Sequence, residues 1–149
     1  MISAVFDTNT LLQGILSENG PAGQCIKFVD AGKIRLYFSR ETFEELQEVL
    51  SRPRLRTKYP VLSSKRTEII IQTAAENSIF ISDPPKVFSL DRDPDDEKFV
   101  NLALAAKADH IVTRDRDLLG LMDENDFRGR YPAFEIITPV GLLEILRKT

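Results

Sequence analysis

Apolar residues run along this chain in two rhythms. Short, mostly apolar runs, as in Ile2–Phe6, Ile34–Phe38 and His110–Thr113, take turns with longer stretches whose apolar positions recur every three or four residues. The first pattern fits strands buried on both faces, and the second fits helices with one face inward. Ile2–Asp7 therefore reads as a core strand. Pro21 suits a first helical position, and Cys25, Ile26, Phe28 and Val29 form a stripe that stops near Gly32. Ile34–Phe38 is a second strand, and Ser39 is a good N-cap for a helix to about Leu50, with Pro53 barring its smooth continuation. Ser63 or Ser64 opens a helix carrying Ile69, Ile70 and Ala74. Ile79–Ser82 is a short strand halted by Pro84 and Pro85. A helix spans Asp96 to Ala108, strands follow at His110–Thr113 and Phe134–Ile137, and Thr138-Pro139 starts a last helix through Leu146. Strands alternating with helices predict the α/β class, a central parallel sheet flanked by helices on both faces.

Composition narrows the chemistry. With 149 residues, 42% hydrophobic and 29% charged, the chain is expected to form one globular domain, 1–149. No apolar run approaches the roughly 18 residues of a membrane span, and no signal-like segment opens the chain. Cys25 and His110 are the only cysteine and histidine. A disulfide within the chain and a typical structural zinc site are thereby excluded, and a reducing cytoplasm is the expected location. Cys25 lies in an apolar stripe and reads as core; His110, just before a strand, reads as a sheet-end residue. The net charge of −3 does not announce a nucleic-acid binder. Its distribution is more informative: Arg52, Arg54, Arg56 and Lys58 form a basic segment able to meet phosphates, or else a solvated surface. Phe80, Phe88, Phe127, Tyr131 and Phe134 could stack bases or fill the interior.

Carboxylates fall where a parallel sheet binds ligands, beyond the carboxyl ends of its strands. Asp7 closes the first strand. Asp115 lies just past His110–Thr113, with Asp117 two residues on. Asp96 stands at a helix start inside an acidic block, where it also complements the helix dipole. Asp91-x-Asp93-x-Asp95 is not a calcium loop, because Asp96 occupies the glycine position and Leu102 that of the closing glutamate. Among Glu41, Glu44, Glu45 and Glu48, helix phase brings Glu45 nearest the apolar face of Phe43, Leu46, Val49 and Leu50. Like charges gathered without a histidine are costly unless a hard divalent cation offsets them. Mg²⁺ or Mn²⁺ held this way suits phosphodiester hydrolysis.

Four segments also carry a resemblance. Phe6-Asp7-Thr8-Asn9, Ser39–Leu50 with Glu45, Asp93-Pro94-Asp95-Asp96 followed by Lys98-Phe99 and Ala103-Leu104-Ala105, and Val112-Thr113-Arg114-Asp115-Arg116-Asp117-Leu118 resemble, in order, the four motifs of PIN-domain nucleases. The likeness spans nearly the whole chain and looks closest to the toxin components of toxin–antitoxin pairs. It implies a PIN-like domain, a Mg²⁺- or Mn²⁺-dependent ribonuclease acting on RNA, and an antitoxin protein or a homo-oligomer as partner. Asp7, Glu45, Asp96 and Asp115 would be metal ligands or would position the attacking water. Asp117 would be an auxiliary acid and ligand, with Thr8, Asn9 and Thr113 as polar support. The middle, Arg54 to Val87, is longer than in the smallest toxins. Two rivals stand beside this reading. One is an aspartyl-phosphate phosphotransferase or phosphatase with Asp7 as nucleophile, although Asn9 occupies its usual general-acid position. The other is a catalytically silent PIN module that binds RNA or protein.

Overall fold

The computed structural model describes residues 1–148. Five parallel strands build one sheet: β1 (Ile2–Phe6), β2 (Ile34–Ser39), β3 (Ser78–Ile81), β4 (His110–Val112) and β5 (Glu135–Ile137). Their spatial order is β3-β2-β1-β4-β5. The chain moves outward from β1 to one edge, then returns to lay β4 against the other side of β1. That reversal creates a crevice past the carboxyl ends of β1 and β4, where open α/β sheets receive ligands. The register matters here. Phe6 pairs with Val112 and Val112 with Ile137, so the residues that follow, Asp7 and Thr113, emerge side by side.

Alternation along the strands gives the sheet two cores. Ala4, Phe6, Leu36, Phe38 and Val112 point to one face. Helices α1 (Thr8–Leu16), α2 (Pro21–Asp30) and α3 (Arg40–Leu50) cover it, with Leu11, Cys25, Val29, Leu46 and Leu50 turned inward. The short α4 (Pro53–Lys58) and the longer α5 (Ser64–Glu76) follow along the same side. Val5, Tyr37, Ile111 and Ile136 point to the other face. There they meet Phe99, Val100, Leu102 and Ala103 of α6 (Glu97–Ala106), Leu118 of α7 (Arg116–Leu119) and Phe127 of α8 (Asn125–Arg130). The last helix, α9 (Pro139–Arg147), returns to the first face with Leu142 and Leu143. The α/β class and the parallel sheet are as the apolar rhythm predicts. Among the described residues, no helix is long and apolar enough to cross a membrane.

Several boundaries differ from the expectation for local physical reasons. Asp7 does not belong to β1. Its side chain caps α1 by accepting from Thr10 N at 3.0 Å, and that helix was not predicted. Pro53 does bar α3, yet it also opens α4 as an N1 proline. The strand expected at Ile79–Ser82 begins one residue earlier, at Ser78. The helix predicted from Asp96 starts at Glu97 after a 3₁₀ turn, Pro94–Asp96, and ends at Ala106 because Lys107 takes the left-handed conformation (φ 53°). The tight connection of α1 to α2 requires Gly23, where a Cβ would lie 2.4 Å from the Ser17 and Glu18 carbonyl oxygens. As expected, Cys25 is core: it is fully buried, and burial raises its thiol to about 11. His110 starts β4 at the end of the sheet away from the crevice, with Nδ1 buried and unpartnered.

Candidate active site

Asp7 enters the crevice from the first residue past β1. It is 5% exposed, and both oxygens are engaged: Oδ1 by the Thr10 N–H, Oδ2 by the Thr113 hydroxyl at 2.5 Å. Burial raises its pKa; the hydrogen bonds from Thr10 and Thr113 pull the other way, and the nearby charge of Asp115 adds to the rise. Thr113 is the joint between the two central strands. Its hydroxyl donates to Asp7 and accepts the Asp115 N–H at 2.9 Å. Asp115 in turn caps α7, with Oδ1 accepting from Asp117 N (2.8 Å) and Leu118 N (3.1 Å). One oxygen thus builds the helix start and the other is left to face the crevice.

Asp96 approaches from the 3₁₀ turn ahead of α6. Its carboxyl, with those of Asp93 and Asp115, offers one oxygen each within a 4.8 Å group. Burial, followed by the charge of Asp115 and the contacts with Asp93, pushes Asp96 up to about 8. Its Oδ2 is buried without a hydrogen-bond partner. A buried, unpartnered carboxylate oxygen beside two further acids fits a hard cation with oxygen ligands. Asp93 was missed as a site residue. Nothing in the pattern separates it from Asp91 or Asp95, and only the 3₁₀ turn aims it inward.

Glu45 reaches the same crevice from α3. That helix is fixed by Ser39, whose side chain caps Thr42 N while Thr42 Oγ1 accepts from Ser39 N at 2.9 Å, and it is anchored by the buried Leu46. Glu45 is half-buried, whereas Glu44 and Glu48 are exposed and paired with Arg40 and Arg52. Glu45 accepts a short hydrogen bond from the Thr8 hydroxyl and forms an ion pair with Lys98 Nζ at 3.0 Å. Through Thr8 it is tied to the residue after Asp7, and through Lys98 to the helix that follows Asp96.

The other candidates lie further out. Asn9 is exposed. The Asp117 carboxylate sits 3.5 Å from Arg92 Nε, outside the three-acid group. In the basic segment, Arg52 is paired with Glu48, Arg56 donates to Ser64 and Thr67, and Lys58 lies over the Tyr59 ring. Arg54 alone of the four is left without a partner among the described residues. Phe88, Phe127, Tyr131 and Phe134 pack edge-on against one another, and Phe80 stacks with Phe38 on the exposed edge strand.

Residues 3–117 match the PIN domain as a family. The chain belongs to the PIN-domain family. PIN domains are generally nucleases that act on nucleic acids with divalent metal ions, and the grouped carboxylates of this PIN domain suit that chemistry. The chain is also 35% identical over 126 residues to the uncharacterized protein MJ1680 of Methanocaldococcus jannaschii, covering 85% of this chain and 79% of that one. Its fold is similar to the crystal structure of PAE2754 from Pyrobaculum aerophilum, with a TM-score of 0.55 at 15% identity over 99% of this chain and 91% of that one.

Proposed function

We propose that this PIN domain is a Mg²⁺- or Mn²⁺-dependent endoribonuclease that hydrolyses RNA phosphodiesters in the crevice past β1 and β4. The observation that carries the reading is Asp96: a buried carboxylate with an unpartnered oxygen, grouped with Asp93 and Asp115. Asp96, Asp115 and Asp93 would hold the cation, with Asp7 and Glu45 completing the acidic wall and orienting water. A bound divalent cation of this kind supplies an activated water and neutralises phosphate charge. The residues do the rest. Thr113 keeps Asp7 and Asp115 in fixed relation, and Thr8 holds Glu45 toward them. The basic segment, with Arg54 as its unpaired member among the described residues, is assigned to RNA contact. Asp117 serves as an auxiliary acid through Asp115.

The phosphotransferase reading is weaker, because a covalent nucleophile must be reached by its phosphodonor, and Asp7 is 5% exposed with each oxygen already held by a hydrogen bond. The assignment as a cytoplasmic toxin with an antitoxin partner rests on the resemblance of the four motifs. The test is cleavage of a labelled single-stranded RNA with Mg²⁺ or Mn²⁺ against EDTA, for the parent and for Asp96→Asn. Metal-dependent cleavage lost in the variant is the expected result. Binding without cleavage under every metal would favour the silent module instead.

A further inference from the structure

Lys98 is an anomaly in an acidic crevice. Its side chain is only 12% exposed, yet its ammonium carries three N–H donors. One meets Glu45 Oε1 at 3.0 Å, and a second donates to the Asp95 carbonyl. Its charge lies over the Phe99 ring, Nζ 5.1 Å from the centroid, which favours this position of the ammonium. Among the described residues the third donor has no acceptor. The same lysine lines a cleft of about 100 Å³ together with Ser39, Pro84, Lys86 and Asn101. Two carboxylates also line this cleft: Glu97, one oxygen of which accepts from Leu90 N, and the exposed, water-screened Glu41. The cleft wall is held firm by Asn101, whose Oδ1 accepts from Val87 N and Phe88 N.

Resting on the nuclease reading, we infer that Lys98 is a substrate-positioning residue that seats one RNA backbone phosphate in the cleft it shares with Lys86, while its pairing with Glu45 keeps the ammonium in place. An ammonium already oriented by two acceptors loses little freedom when it takes a phosphate oxygen, and charge-assisted hydrogen bonds of this kind are the strong ones. A lysine serving only to offset Glu45 would have no reason to line a second cleft beside another lysine.

The test uses the full chain, a fluorescein-labelled single-stranded oligoribonucleotide in EDTA, and a separate Mn²⁺ titration. Lys98→Met should weaken RNA binding and make its log–log salt dependence shallower by about 0.7, the share of one phosphate on a single strand. Its Mn²⁺ affinity should equal or exceed that of the parent, because a competing positive charge is gone. Lys98→Arg should keep most of the RNA binding. The Glu45→Gln/Lys98→Met double variant should stay weak, since the missing contact is to phosphate; recovery to parent affinity would make Lys98 a mere counter-ion and overturn the inference. If Lys98→Met fails to fold, Lys86→Met at the exposed side of the cleft should show its own shallower slope, and an unchanged slope there overturns the inference equally. Parent protein that binds this RNA but never cleaves it defeats the nuclease reading and leaves the phosphate seat standing. Parent protein with no salt-dependent RNA binding defeats both.

Discussion

Replacing Asp96 by Asn interrogates the acidic site through stability before any substrate is added. Burial first, then the charges of Asp115 and Asp93, move this carboxyl from 3.8 to about 8. A carboxyl whose pKa is higher folded than unfolded binds its proton more tightly in the native state. Its favourable contribution is complete below about pH 4 and is lost as pH climbs to about 8, beyond which the ionised group is a constant penalty. At about 1.4 kcal/mol per unit, an unscreened site would lose about 6 kcal/mol across that window. Water at the crevice mouth and the sharing of charge among Asp93, Asp96 and Asp115 bring this to about 3 kcal/mol. Asn has no proton to lose. In EDTA, urea unfolding should find Asp96→Asn close to the parent near about pH 4 and more stable by about 3 kcal/mol near about pH 9. Mn²⁺ then reverses the order: at roughly 100 times its Kd, a bound cation adds about 2.7 kcal/mol to the parent, and the variant should gain far less. Parallel pH profiles for the two proteins would refute the burial argument. An equal gain from Mn²⁺ would refute Asp96 as a ligand.

Three more outcomes follow from the contacts. Glu45→Gln should lose most cleavage activity, while Glu44→Gln and Glu48→Gln, which break only exposed pairs with Arg40 and Arg52, should cleave at nearly the parent rate. Equal losses at all three would mean that α3 does not present Glu45 alone. Asp115→Asn should abolish metal-dependent cleavage and keep the α7 cap, whereas Asp115→Ala should also lower the unfolding free energy by about 1 kcal/mol; thermal melts of the two variants separate these effects. Arg54→Ala should flatten the salt dependence of RNA binding without changing the melting temperature. Arg56→Ala should instead destabilise by about 1 kcal/mol through its lost bonds to Ser64 and Thr67.

The strands next to the crevice were legible because both of their faces are buried. Ile2–Phe6 and His110–Val112 need no solvent-facing side, so they are mostly apolar, with only Ser3 and His110, both buried, as polar members. The α3 helix was legible for a different reason: Ser39 marks its start, and Leu46, Val49 and Leu50 mark its inner face. The α1 helix escaped because Thr8, Asn9 and Thr10 are poor helix formers and Gly14 interrupts the stripe; the Asp7 cap and packing against α2 override that weak propensity. The four-residue α7 and six-residue α8 are too short to leave a periodic trace. Among the candidate site residues, Asp7 and Asp115 stand out by strand end and Glu45 by helix phase, whereas Asp96 stands out from its acidic block only through its place at a helix start and the resemblance of its motif. Asp93 and Lys98 do not stand out. Asp93 owes its aim to a turn, and Lys98 is placed by an ion pair with Glu45, more than fifty residues away in sequence, which no local pattern reports.

The joint made by Thr113 has a consequence for the order in which the protein comes alive. Its hydroxyl grips Asp7 across a sequence separation of 106 residues. During synthesis, β1, β2 and β3 can pair and bury much of one core before Asp96 or Asp115 has been made, because those three strands are neighbours in the sheet. The acidic crevice closes only when β4 inserts beside β1, a late and long-range event in the formation of this topology. A growing chain can therefore bury part of its core before the acidic crevice exists, and a truncated product ending before β4 carries Asp7, Glu45, Asp93 and Asp96 without Asp115 and without the Thr113 joint that ties Asp7 to it.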